Sequence, residues 1–210
     1  MKSRRLSKEE WFNTISHGFA AFLSFLGFGL MLYFSLRDYS FPKLSGSILY
    51  GFSLCFAFTS SAIYHSRKKG RTKDIFQRLD HIGIFLLIAG TYTTYILNRF
   101  SSERGYVVLS IVWGMSLVGI TIKAFTAKRF TNLSTIFYIL IACVIFFEIE
   151  LLFKTLSWSC LIWLWSGGLL YLIGVYFYIK DNKYMYHSIW HLFVILGALF
   201  HYISVVVYVI

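Results

Sequence analysis

Apolar and polar positions fall along this chain in long blocks rather than in short alternation. Seven predominantly apolar stretches stand at 14–36, 44–64, 80–97, 105–125, 133–153, 159–179 and 187–210. Short polar connections separate them, such as the run from Ser66 to Lys73 and that from Lys180 to Lys183. A membrane-crossing helix needs about 20 such residues, because in lipid only a backbone hydrogen-bonded within itself survives. The pattern predicts an all-α polytopic membrane protein, a seven-transmembrane-helix bundle forming a single domain over residues 1–210.

Composition narrows the class further. Apolar residue types make up 58% of the 210 residues and charged ones 14%, against ~45–50% and ~25% in soluble domains. Aromatics reach 20% and there is one proline. A disordered chain, a disulfide scaffold and a water-soluble globule are excluded on these grounds. Cys55, Cys143 and Cys160 are scattered in apolar runs with no CxxC pair, which argues against a zinc ribbon or a redox dithiol.

The net charge of +11 invites a nucleic-acid reading, but its distribution argues for membrane topology. Taking the N-terminus and every second connection as one side collects fifteen Lys and Arg: Lys2, Arg4, Arg5, Lys8, Arg67, Lys68, Lys69, Arg71, Lys73, Arg78, Lys123, Lys128, Arg129, Lys180 and Lys183. The other side holds five, namely Arg37, Lys43, Arg99, Arg104 and Lys154. By the positive-inside rule the N-terminus is expected in the cytoplasm and the C-terminus outside. Six spans would spoil this alternation. The basic residues before the first apolar run resemble a signal-peptide n-region, but the run is of span length without a small-x-small site, so it is expected to be retained.

Ionisable groups within spans are costly and mark functional sites by default. With this topology four polar clusters share one depth, near the cytoplasmic leaflet: Ser61 and His65 ending the second span, Asp80 and His81 opening the third, His187 and His191 opening the seventh, and Glu10, Asn13 and His17 opening the first. His187 and His191 are i,i+4, which puts both rings on one helix face about 6 Å apart. With His65 they supply three neutral nitrogens from two helices, the usual protein share of a catalytic zinc site. Ser61 or the Glu10–Asn13–His17 stripe is placed to orient those imidazoles by hydrogen bonds. Asp80 is the carboxylate left to hydrogen-bond a metal-bound water and take its proton. The competing readings are interfacial histidines touching headgroups, and an Asp80 paired with Arg78.

The remaining polar residues receive plainer readings. His81 points about 100° away from its neighbour Asp80 and is expected at the interface, and His201 is expected to be a satisfied interior histidine. Glu148 and Glu150 are expected in water at the outer end of the fifth span. Gly27 and Gly29, and Gly167 and Gly168, are expected to allow close helix packing.

These residues also carry a resemblance. Glu10-x-x-Asn13-x-x-Ser16-His17, Ser61-x-x-x-His65, the run Leu79-Asp80-His81-Ile82-Gly83 through Tyr92, and His187-Ser-Ile-Trp-His191 resemble the hemolysin III branch of the progestin and adipoQ receptor family, related to adiponectin receptors and alkaline ceramidases. The resemblance covers nearly the whole chain, with the motifs in order on spans one, two, three and seven. It implies a seven-helix bundle with an intracellular N-terminus and a zinc ion held by His65, His187 and His191, which Asp80 contacts through water. It further implies hydrolysis of a lipid amide and a tie to membrane lipid homeostasis.

Three functions stay open at this point. The leading one is a zinc-dependent hydrolase of a lipid amide or ester in the cell membrane, with a membrane lipid as substrate or ligand. The second is a receptor or sensor with a structural zinc, and the third a cytolytic, hemolysin-like protein. A bis-histidine haem suits clustered i,i+4 histidines poorly.

Overall fold

The computed structural model describes residues 6–126 and 131–210. Of the basic residues counted for orientation, Lys2, Arg4, Arg5, Lys128 and Arg129 lie outside the described residues. The chain forms α1 (Lys8–Arg37), α2 (Phe41–Ser66), α3 (Arg71–Arg99), α4 (Glu103–Thr126), α5 (Thr131–Ala142), α6 (Ile149–Thr155), α7 (Trp158–Ile179) and α8 (Tyr186–Tyr208). A 3-10 segment, Cys143–Glu148, joins α5 to α6, so that both belong to the fifth span. Seven helical spans are long and apolar enough to cross a membrane, and no strand occurs among the described residues.

The helices begin where their sequences can satisfy free N–H groups. The Ser7 hydroxyl accepts from Glu10 N, that of Ser40 from Lys43 N beside Pro42, and that of Ser157 from Cys160 N, each closing a first turn that has no partners of its own. Gly70 opens α3 with a φ of +148°, a conformation in which a side chain would be strained.

The helices outrun the hydropathy pattern, most of all α3, which starts at Arg71 rather than at 80. Hydropathy marks only the part of a helix that lies in hydrocarbon. Outside it, α3 continues through Arg71–Leu79, since an α-helix needs no apolar side chains to keep its own hydrogen bonds. The polar connection read from Ser66 to Lys73 thus shrinks to 67–70, and Lys73 becomes a helical residue. Lys123 is likewise in α4 and fully buried.

α2 lies between α1 and α3, while α8 packs on α7 and closes against α1 and, more lightly, α3. The interior holds Met31, Tyr50, Phe85, Ile96 and Val205, each almost wholly buried. The outside carries Phe19, Phe22, Phe25, Leu117, Phe147 and Leu169 in exposed positions, the arrangement expected where lipid replaces water. Interhelical hydrogen bonds tie the bundle: Thr94 Oγ1 donates to Gly46 O, Tyr95 to Ser204 Oγ, Trp113 Nε1 to Thr93 Oγ1, and Tyr202 to Gly27 O.

The two glycine pairs divide. A Cβ on Gly27 would stand 2.9 Å from the Tyr202 ring and one on Gly167 would stand 2.3 Å from the His201 ring, whereas Gly29 and Gly168 face open space. Neighbouring helical positions point in different directions, so only one of each pair meets a helix.

The fifth span is not one continuous helix. The Tyr92 hydroxyl from α3 donates to Ala142 O at 2.8 Å and accepts from Ile145 N at 3.0 Å, so a single side chain partners both backbone groups where the winding changes. Glu150 is exposed as expected, paired with Lys154. Glu148 is not: its side chain is 19% exposed and lies 3.9 Å from Arg104, because the tighter 3-10 winding turns it back towards α4 instead of into water.

Candidate metal centre

The ends of α1, α2, α3 and α8 meet at one end of the bundle. His65 occupies the last turn of α2, and His187 and His191 the first two turns of α8. Antiparallel passage brings the end of α2 beside the starts of α1 and α8. The separation of four residues aims both α8 rings the same way. The result is a group in which one ring nitrogen from each histidine lies within 4.8 Å of the other two. His65 Nε2 and His191 Nε2 are the closest pair, 3.0 Å apart. Ring centroids are separated by 4.6 Å for His187 and His191 and by 5.4 Å for His65 and His187.

The Glu10 carboxylate sets the state of His65. A carboxylate accepts and does not donate, so His65 Nδ1–H donates to Glu10 Oε2 at 2.7 Å. The His65 Nε2 lone pair is thereby turned towards His191. The second Glu10 oxygen accepts from Lys73 Nζ at 2.5 Å, and the Lys73 ammonium stands 4.7 Å from the centre of the Tyr64 ring. Residues of α1 and α3 thus support one imidazole of α2.

The donor set fits a divalent cation. Nitrogens bound to zinc at ~2.0–2.1 Å in tetrahedral geometry lie roughly 3.3–3.4 Å from one another. The closest observed pair at 3.0 Å and the outer bound of 4.8 Å bracket that spacing. His65 is 3% exposed and His191 0%, so these are not headgroup-facing histidines. Imidazoles converging on one point, two of them buried and His187 half-buried, are the chemistry of a metal-binding group, and His65, His187 and His191 can hold an ion.

The expected supporting residues divide in role. Glu10 does orient a ring. Asn13 orients no imidazole: its Oδ1 accepts from Ser188 Oγ at 2.6 Å, locking α1 to α8 next to His187. Ser61 Oγ and both ring nitrogens of His17 are buried without a hydrogen-bond partner among the described residues, as is His191 Nδ1. Asp80 is half-buried, within electrostatic reach of Tyr64, Tyr138 and Tyr178. It follows Lys73 by seven residues, and so shares its face of α3 two turns further in. Arg78 does not pair with it, its guanidinium donating instead to Ala124 O at 3.0 Å.

Of the other histidines, His201 is satisfied as expected, its Nε2–H donating to Leu164 O, while the half-buried His81 donates from Nδ1–H to Gln77 O within its own helix. Lys73 and Ser188 are the contributors that sequence reasoning missed. Lys73 reads in the sequence as one of the orientation charges, although its i,i+7 spacing to Asp80 marks a shared helix face. Ser188 lies inside the His187–His191 motif but carries no signal that it faces α1.

The comparisons with known proteins agree with this architecture. The family model for haemolysin-III-related proteins matches residues 6–202. The Hemolysin-3 homolog of Bacillus subtilis (strain 168) is 36% identical over 91% of this chain and 90% of its own length. Hemolysin-3 of Bacillus cereus is 33% identical over 96% of this chain and 92% of its own. The human monocyte to macrophage differentiation factor is 26% identical over 92% of this chain and 81% of its own. No solved structure matches the chain. With a family model covering nearly its full length and seven apolar helices to match, the chain belongs to the haemolysin-III-related branch of the progestin and adipoQ receptor family.

Proposed function

We propose that this multi-pass membrane protein is a zinc-dependent hydrolase of a lipid amide or ester, working in the cell membrane as one seven-helix unit with its N-terminus in the cytoplasm. The observation that carries the reading is the convergence of the buried His65 and His191 with the half-buried His187, with His65 fixed by Glu10. Zinc held there supplies Lewis acidity for an acyl carbonyl and brings the acidity of water into the neutral range.

The chain's own residues do the rest. Glu10 keeps the proton of His65 on Nδ1 and so keeps Nε2 available, while Lys73 balances the carboxylate's charge. Asn13 and Ser188 hold α8 against α1. Asp80, free of hydrogen bonds and ion pairs to other described residues, takes the proton from the attacking water and delivers it to the leaving group. The hydroxyl of water joins the acyl carbon, the carbon–nitrogen or carbon–oxygen bond breaks, and the proton leaves on the amine or alcohol. The position of the group at the helix ends suits a lipid whose scissile bond lies just below its headgroup.

The test uses purified protein in nanodiscs, loaded with one equivalent of zinc and offered ceramides, other lipid amides and lipid esters. Fatty-acid release by the wild type, lost in Asp80→Ala and His191→Ala, is the expected result. A wild type that holds zinc and cleaves nothing on the panel overturns the hydrolase reading.

A second reading, a sensor with a structural zinc, draws on the same three histidines, which come from two helices that a bound ion would clamp together. A fourth protein ligand would close the site, as in structural zinc centres. X-ray absorption that counts four protein ligands would favour it.

A further inference from the structure

We infer that His17 faces the open position of the metal centre and holds, by a hydrogen bond, the exogenous atom that occupies it. This rests on the metal reading above and deepens it. The His17 ring lies edge-on to His191 at 4.0 Å and to Phe58 at 5.4 Å between centroids. It is 3% exposed, and neither ring nitrogen has a hydrogen-bond partner among the described residues. An imidazole carries an N–H and a lone pair, and burying both unmatched costs stability that a phenylalanine or leucine at this place would not.

Two other roles for the ring are excluded by placement. His17 makes no hydrogen bond to an imidazole, so it orients none of them. It also stands outside the group whose nitrogens all lie within 4.8 Å of one another, so it does not complete the tetrahedron.

The location of His17 indicates which side of the centre is open. Glu10, Asn13 and His17 form one stripe on α1, whose first two members hold His65 and Ser188. His17 is the deepest of the three, against the deeper of the two α8 histidines. Ser61, also buried and unpartnered, lies one turn deeper than His65 on α2. Both unmatched side chains therefore sit on the midspan side of the three ligands. The ligand class that fits is a small group that binds metal through one atom and accepts a hydrogen bond at the same place, such as an acyl oxygen or an inorganic anion.

The test loads the full-length protein with cobalt and titrates azide, reading the visible bands of the metal. His17→Phe is expected to bind cobalt one to one, within about threefold of the wild-type affinity, and to bind azide roughly tenfold more weakly, the loss of one hydrogen bond. His17→Gln, which keeps a donor, recovers most of the azide affinity. Unchanged azide binding in His17→Phe overturns the inference, as does loss of cobalt from a folded His17→Phe, which would make His17 a ligand. A cobalt-loaded wild type that binds no azide overturns it as well, since no position is then open. A wild type that binds no cobalt removes the metal reading itself. If His17→Phe does not fold, an experimental structure of the wild-type cobalt–azide complex decides: azide within hydrogen-bond distance of His17 supports the inference, and azide elsewhere overturns it.

Discussion

The carboxylate of Glu10 and the imidazole of His65, 55 residues apart in the chain, are joined by a hydrogen bond of 2.7 Å. That bond fixes which nitrogen of His65 is free, and it belongs to the class of outer contacts whose loss weakens a metal site by about 10–100-fold. Glu10→Gln is therefore expected to lower zinc affinity by one to two orders of magnitude without unfolding the protein, as measured by competition with a coloured chelator.

Metal removal is expected to cost stability. A ligand that binds only the folded state, present at 100 times its dissociation constant, stabilises it by about 2.7 kcal/mol. At this chain length that corresponds to a fall in Tm of roughly 5–10 °C on chelation. Nanodisc-embedded wild type should show the fall and its reversal by zinc, and His187→Ala should show neither.

Asp80 is expected to matter for turnover and not for metal content. Asp80→Asn should retain one zinc per chain by elemental analysis while turnover falls at least ~100-fold, the usual scale of a lost general base. Loss of zinc from this variant would make Asp80 a ligand instead.

Gly27 and Gly29 offer a matched pair. A methyl at Gly27 meets the Tyr202 ring at 2.9 Å, and overpacking of this kind costs about 1–3 kcal/mol. One at Gly29 meets nothing within 4 Å, where alanine gains up to ~1 kcal/mol of helix propensity. Thermal unfolding in one detergent should therefore move in opposite directions for Gly27→Ala and Gly29→Ala.

Tyr92→Phe removes the hydroxyl that serves both Ala142 O and Ile145 N. Leaving backbone groups unmatched within a membrane span costs about 1–3 kcal/mol or more. The variant should unfold correspondingly earlier in denaturant, and hydrogen exchange should rise first at Ile145.

Much of the fold was legible because hydropathy is a local property, and lipid demands about 20 apolar residues wherever a helix crosses. The motifs on α1, α2, α3 and α8 could be placed at one depth by counting from the helix ends. Their i,i+4 spacing showed that His187 and His191 share a face. Spacing along one helix is silent, however, about the rotation of that helix against its neighbours. That rotation decided that Glu10 meets His65, that Asn13 meets Ser188 rather than an imidazole, and that Gly27 is packed where Gly29 is not.

The sequence by itself determined seven passes, their order and the end at which the histidines gather, since each follows from composition and counting. Only the tertiary structure decided which nitrogen atoms converge, that Lys73 serves Glu10, and that Tyr92 bridges a break in the fifth span. The physical reason is that a hydrogen bond requires two atoms at about 3 Å, and residues from separate helices reach that distance only through packing, which no single helix encodes.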